Sequence, residues 1–272
     1  MADERERWAL ILGASSGFGE ATALALAQDG YHIAGVHLDR RAGMRHVEEI
    51  RARIESFGRE ARFFNANAAD DEQRAQVLAA LRERFDRIQA GGGHSYVRVL
   101  MHSLAFGTLK PFLAPDAADA INRKNMEMTL DVMAHSLVYW TQDLVRGGFI
   151  EAGSRIYAMT SEGSTRVVGS YGAVSAAKAA LESHCRQLAM ELARHGIGAT
   201  CNAIRAGVTM THALLQIPER DELVEVARRR NPSGRMTTTE DVARAIVTLS
   251  RDGTEWLTGN VLGIDGGEFV TG

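Results

Sequence analysis

The sequence predicts a single α/β domain in which helices cover both faces of a doubly wound parallel sheet. Three observations predict it. Short apolar runs alternate with helical stretches of roughly ten to twenty residues along the whole chain, the pattern of successive βαβ units. No low-complexity linker or shift in composition divides the 272 residues, a length that α/β folds fill as one unit. Glycine is abundant (27 residues) and proline scarce (4), and a glycine cluster stands at the first strand-to-helix turn.

Taken in order, Trp8–Leu12 is apolar throughout and ends at Gly13, as a strand buried on both faces does. Gly19–Gln28 has helical spacing closed by Gly30. Tyr31–Leu38 reads as the second strand, Met44–Phe57 as a charged amphipathic helix stopped by Gly58, Ala61–Ala66 as the third strand and Asp71–Phe85 as a helix. After the Gly91–Gly93 loop, read only as flexible, comes a strand at Val97–Leu104. The second half repeats the rhythm: a long helix from Ala117 to Arg146, a strand at Arg155–Thr160, a helix from Ser170 to His195 and a strand at Ala199–Ile204. Helices at Asp221–Arg230 and Thr239–Ser250 precede a last strand, Val261–Ile264.

Composition excludes several classes. With 31 basic against 34 acidic side chains and a formal charge of −3, the chain has no electrostatic footprint for nucleic acid. Cys185 and Cys201 are too few for a disulfide framework or a zinc cluster. No His-x3-His or His-Glu-x2-His array occurs among the nine histidines, so no metal is expected. The charged Met1–Arg7 leads into an apolar run too short for a signal peptide, and nowhere do eighteen apolar residues run together. The expectation is a cytoplasmic protein with no membrane partner. Arg228–Arg230 reads as a solvated helix end, with steering of an acidic carrier protein or a coenzyme A phosphate as the alternative.

The glycines of the first turn, Gly13-Ala-Ser15-Ser16-Gly17-Phe18-Gly19, are spaced Gly-x3-Gly-x-Gly. Such glycines let the backbone turn sharply and approach a pyrophosphate whose charge meets a helix N-terminus. This turn resembles that of the short-chain dehydrogenase/reductase superfamily. Asn67-Ala68, Asn202-Ala203-Ile204 with Gly207 and Thr211, and Asp265-Gly266-Gly267 extend the resemblance over nearly the whole chain. It implies a Rossmann-type sheet of about seven parallel strands and a nicotinamide dinucleotide, with Asn67 at the adenine and Thr209 and Thr211 at the nicotinamide carboxamide. A carboxylate at the end of the second strand binds the ribose of NAD. By offset from Gly13 that position is His37, followed by Asp39, Arg40 and Arg41, where the arginines suit a 2′-phosphate. NADPH is the expected cofactor, with NADH as the alternative.

In most of the superfamily the active pair is Tyr-x3-Lys. Here Val174 stands four before Lys178, and Tyr171 seven before it. Seven residues are close to two helical turns, so both side chains can share a face, with the phenol roughly 4–5 Å further along the axis. That displacement suits an α,β-unsaturated thioester: hydride goes to the β-carbon and Tyr171 donates to the enolate oxygen two bonds away. The Tyr-x6-Lys spacing resembles the enoyl-acyl-carrier-protein reductases. So do His102-Ser103-Leu104-Ala105-Phe106 and the stretch from Pro218 through Asn231-Pro232-Ser-Gly-Arg235-Met236.

The resemblance implies that Lys178 holds the nicotinamide ribose and lowers the phenol's pKa, and that Ser161 bonds the substrate carbonyl. Ser103, Leu104, Ala105 and His102 line the cofactor cleft, and Gly207 lets the chain pass the nicotinamide. Met133 replaces the superfamily's helix asparagine, which counts against a plain alcohol dehydrogenase. Phe106, Met210, Leu214 and Leu215 are expected at the substrate, within an apolar flap over about 208–236. The implied partner is an enoyl thioester on acyl carrier protein or coenzyme A, and the implied assembly a homotetramer or homodimer. A short-chain carbonyl reductase is the alternative activity, and a non-catalytic dinucleotide-binding sensor the remoter one.

Overall fold

The computed structural model describes residues 5–218 and 220–271, so the first four residues of the charged N-terminal stretch and Glu219 of the expected flap lie outside it. Seven parallel strands form one sheet: β1 (Arg5–Leu12), β2 (His32–His37), β3 (Ala61–Asn65), β4 (His94–His102), β5 (Arg155–Thr160), β6 (Thr200–Ala206) and β7 (Val261–Ile264). Their spatial order is β3-β2-β1-β4-β5-β6-β7. Leu12 pairs with Val36 on one side and His102 on the other, so the carboxyl ends of β1, β2 and β4 are level. Strand order reverses between β1 and β4, and the crevice outside that switch point is where an open α/β sheet binds ligands.

Both faces are covered. On one lie α1 (Gly17–Gln28), α2 (Met44–Ser56) and α9 (Thr239–Leu249), packing Leu26, Ile50, Ile54 and Ile246 against Ile11, Val99 and Tyr157. On the other lie α3 (Asp71–Ala90), α4 (Arg123–Leu130), α5 (Ser136–Arg146) and α6 (Gly172–Arg194), packing Leu81, Trp140, Leu181 and Leu188 against Leu10, Leu100 and Ile156. Each such side chain contributes about 1.5–3 kcal/mol by leaving water. Trp140 is buried with its polar edge satisfied, its Nε1 donating to the Ala68 carbonyl at 2.8 Å. Short helices α7 (His212–Leu215) and α8 (Arg220–Arg230) lie between β6 and α9.

The expected element order holds, with α7 added and β4 running His94–His102 in place of Val97–Leu104; three further differences have local causes. The helix expected from Ala117 starts at Arg123. Asn122 accepts the N–H of Asn125, and Asn125 accepts that of Asn122, so this capping box sets the start against the apolar rhythm upstream. The same helix is interrupted by a π-helical turn, Asp131–His135, that separates α4 from α5. α3 runs five residues past Phe85 to Ala90. There Gly92 donates to Gln89 O and Gly93 to Ile88 O, with Gly92 at φ +85°. The Gly91–Gly93 loop is therefore a helix-terminating Schellman motif.

Candidate active site

The first turn is set by steric limits. A Cβ on Gly13 (φ +90°) would stand 2.4 Å from the Ser103 carbonyl oxygen, and one on Gly19 would stand 2.0 Å from the Gly13 carbonyl oxygen. Gly13 therefore lets β4's exit pass β1, and Gly19 lets α1 close on the turn. Ser16 is the N-cap of α1 and makes no side-chain cap bond. The first-turn N–H groups of α1 thus open on the switch point with the helix dipole behind them. These residues fit a dinucleotide pyrophosphate. Ser15 is half-buried and Ser16 exposed, while Phe18 packs against the core beneath.

The remaining cofactor candidates surround this crevice. Asp39 accepts from His37 Nδ1 at 2.9 Å, and its backbone N–H donates to Asn65 Oδ1. Arg40 and Arg41 follow, both exposed and without an ion-pair partner among the described residues. Asn67 forms a local turn, its Oδ1 accepting the Ala69 N–H and its own N–H donating to Gln73, while Ala68 is buried. Ser103 donates its N–H to Leu12 O, Leu104 packs on the core and Ala105 is exposed. Thr211 caps α7 and its methyl lies 3.5 Å from where a Gly17 Cβ would be, so the start of the expected flap abuts the phosphate turn. The Thr209 hydroxyl donates to Gly207 O at 2.9 Å. A Cβ on Gly207 would collide with Thr237 Oγ1 and Glu268 Oε2.

Tyr171 stands one residue before α6, immediately after Ser170, whose φ of +53° is the only positive one at a non-glycine among the described residues. Its ring lies over Gly163, where a Cβ would stand 2.8 Å from Cε1. Burial pushes the phenol's pKa up, and a hydrogen bond with Ser161 pulls partly the other way. Val174, in the Tyr-x3-Lys position, is 4% exposed. Its Cγ2 would lie 3.0 Å from a Gly107 Cβ, with Met133 Sδ and Thr129 Cγ2 at 2.8 Å, so this spot is sealed by apolar packing.

Lys178 is buried, its Nζ donating to Met159 O at 2.6 Å and reaching Leu104 O at 3.5 Å. Desolvation pushes its ammonium down to about 8, against the opposing charge of Glu182. The charge of Lys178 is not among the influences on the phenol, whose hydrogen-bond partner is Ser161. His102 is likewise not in the cleft but wholly buried. Its Nε2 meets Ser136 Oγ at 2.8 Å, and Ser136 gives its own proton to Val132 O. Nε2 of His102 therefore carries the hydrogen, and Nδ1 has no partner among the described residues. Desolvation, then the charge of Lys178, holds His102 down at about 3.

The expected apolar flap divides. Phe106 (66% exposed), Met210 and Leu215 face outward, whereas Leu214 (8%) is buried. Arg230, read from sequence as solvated, turns inward. The sequence reading missed Gly163, Glu182 and Glu268. Glu182, which accepts from Thr160 Oγ1 at 2.6 Å, was signalled by its i,i+4 spacing from Lys178. Nothing in the sequence marked Glu268.

Residues 13–268 match the family model described as Enoyl-(Acyl carrier protein) reductase. The chain is 31% identical over 179 residues to the enoyl-(acyl-carrier-protein) reductase (NADH) FabI of Aquifex aeolicus, covering 64% of this chain and 63% of that enzyme. It is 29% identical over 260 residues to the 3-oxoacyl-(acyl-carrier-protein) reductase FabG of Aggregatibacter actinomycetemcomitans, covering 95% and 97%. The crystal structure of the Aquifex aeolicus VF5 enoyl-(acyl-carrier-protein) reductase (NADH) aligns with a TM-score of 0.82 at 26% identity, over 99% of this chain and 98% of that one. With its seven-stranded parallel sheet and glycine turn, the chain belongs to the enoyl-(acyl carrier protein) reductase family of the short-chain dehydrogenases/reductases, and it is an NAD(P)H-dependent oxidoreductase.

Proposed function

We propose that the protein uses NADPH to reduce the C2–C3 double bond of a trans-2-enoyl thioester carried by coenzyme A or acyl carrier protein. The observation that carries the reading is the placement of the hydroxyl. Val174 and Met133 close the position from which a phenol would protonate the alkoxide oxygen in direct carbonyl reduction, and Tyr171 stands two turns from Lys178. Burial keeps that phenol protonated at neutral pH, which suits a hydrogen-bond donor to the thioester enolate. Ser161 orients it and is within reach of the same oxygen.

When bound, the dinucleotide supplies the hydride. The uncapped turn Gly13–Gly19 would hold its pyrophosphate, and Asn67, Ala68, Ser103, Leu104, Ala105, Gly207, Thr209 and Thr211 would flank it. Lys178, fixed by the Met159 carbonyl, would donate to the nicotinamide ribose. Asp39 is engaged by His37 while Arg40 and Arg41 are exposed and unpaired among the described residues, which favours a 2′-phosphate over a 2′-hydroxyl. The segment 208–236, with Phe106, Met210, Leu214 and Leu215, would cover the acyl chain and exclude water. In line with the resemblance, we place the enzyme in the cytoplasm as a homotetramer or homodimer.

Nicotinamide absorbance tests the reading. Oxidation of NADPH by crotonyl-CoA and not by acetoacetyl-CoA is expected, and the opposite pattern refutes it. The similarity to a 3-oxoacyl reductase over 95% of the chain makes carbonyl reduction the second reading.

A further inference from the structure

Three consecutive residues at the end of β5 each hold a different group on α6 or at its start. The Met159 carbonyl takes the Lys178 ammonium at 2.6 Å, the Thr160 hydroxyl donates to Glu182 Oε1 at 2.6 Å, and Ser161 bonds the Tyr171 phenol. The Met159 side chain belongs to the core on the opposite face of the sheet, so the alternation of a strand turns Thr160 towards α6. The proposed reaction uses Met159, Lys178, Ser161 and Tyr171 but gives Glu182 no part.

Glu182 and Thr160 are both buried, 9% and 7% exposed. An O–H···O distance of 2.6 Å is that of a hydroxyl on an ionised carboxylate. A charge so placed is costly unless another compensates it. The cation that does so stands one turn back on α6, where side chains at i and i+4 are neighbours. Lys178 is buried in turn, and the Met159 and Leu104 carbonyls that its Nζ meets carry no net charge. No direct ion pair joins Lys178 to Glu182 among the described residues, so Glu182 acts through its field.

The other titratable groups acting on Lys178 are Cys185, further along α6, and His102 on β4. His102, held at about 3, is neutral at pH 7. The Cys201 thiol on β6 is pushed well up by its hydrogen bond with Cys185 and by burial, and so stays protonated. Desolvation lowers the Lys178 ammonium, and Glu182 is the foremost group opposing it, ahead of Cys185.

We propose that Glu182 is a positioning residue for the reaction: anchored by Thr160 at the end of β5, it supplies the negative charge that keeps Lys178 an ammonium in the buried cleft at neutral pH. This rests on the reductase reading for turnover but not for the charge state of Lys178.

Lys110, Lys124 and Lys178 are the only lysines of the chain. Protein labelled with carbon-13 at lysine Cε therefore gives three NMR signals, and the one lost in Lys178→Met belongs to Lys178. In the parent protein that signal should titrate at about 8. Glu182→Gln, which keeps an acceptor for Thr160, should lower the midpoint by at least about one pH unit, because the buried ammonium loses its counter-charge. Glu182→Asp, which keeps the charge, should restore most of it. Glu182→Met is the second neutral variant, used where Glu182→Gln does not melt cooperatively. With NADPH and crotonyl-CoA the alkaline limb of kcat/KM should move by the same amount, so that a one-unit move costs about fivefold at pH 8 and little at pH 6. A Lys178 midpoint unchanged in the neutral variants, or a loss of kcat/KM equal at every pH, overturns the proposal.

The two readouts separate this from the reductase reading. A lowered midpoint without reduction of crotonyl-CoA upholds the action of Glu182 on Lys178 and refutes the reductase. Reduction of crotonyl-CoA by parent and Glu182→Gln with the same alkaline limb does the reverse.

Discussion

Tyr171 is held by contacts that leave its hydroxyl as a donor: a glycine under the ring, Ser161 at the oxygen and a buried setting that keeps the proton on. In the proposed reaction, Tyr171→Phe removes the one phenolic donor to the enolate. A fall in kcat of about 10²–10³-fold is expected, the size found when one oxyanion donor is lost, measured by NADPH oxidation with crotonyl-CoA. In the same proposal Lys178 works as a cation, and burial brings its pKa down to about 8 from 10.5. The kcat/KM profile should therefore fall as pH rises through about 8, well before an ordinary lysine would titrate.

His102 shifts stability in the acid range. Its folded pKa, about 3, lies below the 6.5 of the unfolded chain, so between these values the unfolded state binds the extra proton. Stability then rises with pH across that window and is lost as pH falls from 6.5 towards 3. At roughly 1.4 kcal/mol per unit the full effect is on the order of several kcal/mol. Urea midpoints at pH 4 and pH 7 check it: His102→Gln should flatten the acid limb that the parent protein shows.

At the scale of elements, the glycine turn is the least tolerant part. Gly19→Ala places a methyl on the Gly13 carbonyl, so α1 must move off the turn. Loss of NADPH binding by calorimetry is expected even where the variant still melts cooperatively. Strands and phosphate turn were legible in the sequence because both depend on local composition. Trp8–Leu12 is apolar on both faces, Gly13 and Gly17 have positive φ, and a Cβ on Gly13 or Gly19 would overlap backbone. The start of α4 was not legible, since Ala117–Ile121 continues the apolar rhythm while the Asn122–Asn125 capping box decides the boundary. The π-helical turn was not legible either, because no single residue type in Asp131–His135 requires it.

Of the site, Tyr171 and Lys178 came from spacing along one helix and Ser161 from the resemblance, both of which sequence retains. Arg230 and Glu268 are 38 residues apart and meet only through tertiary folding, so Arg230 passed for a solvated helix end and Glu268 for nothing. His102 follows the same rule: its place in a resemblance motif said where it stands in the chain but not that β4 carries it into the core.

At the scale of the whole molecule, the parallel sheet reverses its order between β1 and β4 and thereby puts the phosphate turn, the exit of β4 and the Thr209–Thr211 segment around one crevice. In the proposed function, cofactor choice is decided at its edge, where β2 ends. Replacing Arg40 and Arg41 together by alanine should raise KM for NADPH about ten- to a hundredfold, the worth of one lost charge-assisted hydrogen bond, and leave KM for NADH little changed. No helix among the described residues is long and apolar enough to cross a membrane. Trp256 and Leu257, consecutive in the chain before β7, are both exposed.

The most direct test of the proposed reaction follows the hydride itself. Turnover of crotonyl-CoA with NADPH deuterated at nicotinamide C4 should give butyryl-CoA with one deuterium at C3, in a methylene, read by mass spectrometry and deuterium NMR. Deuterium found only on the hydroxyl-bearing carbon of 3-hydroxybutyryl-CoA, formed from acetoacetyl-CoA while crotonyl-CoA is left untouched, would contradict the proposed function and assign the site to carbonyl reduction.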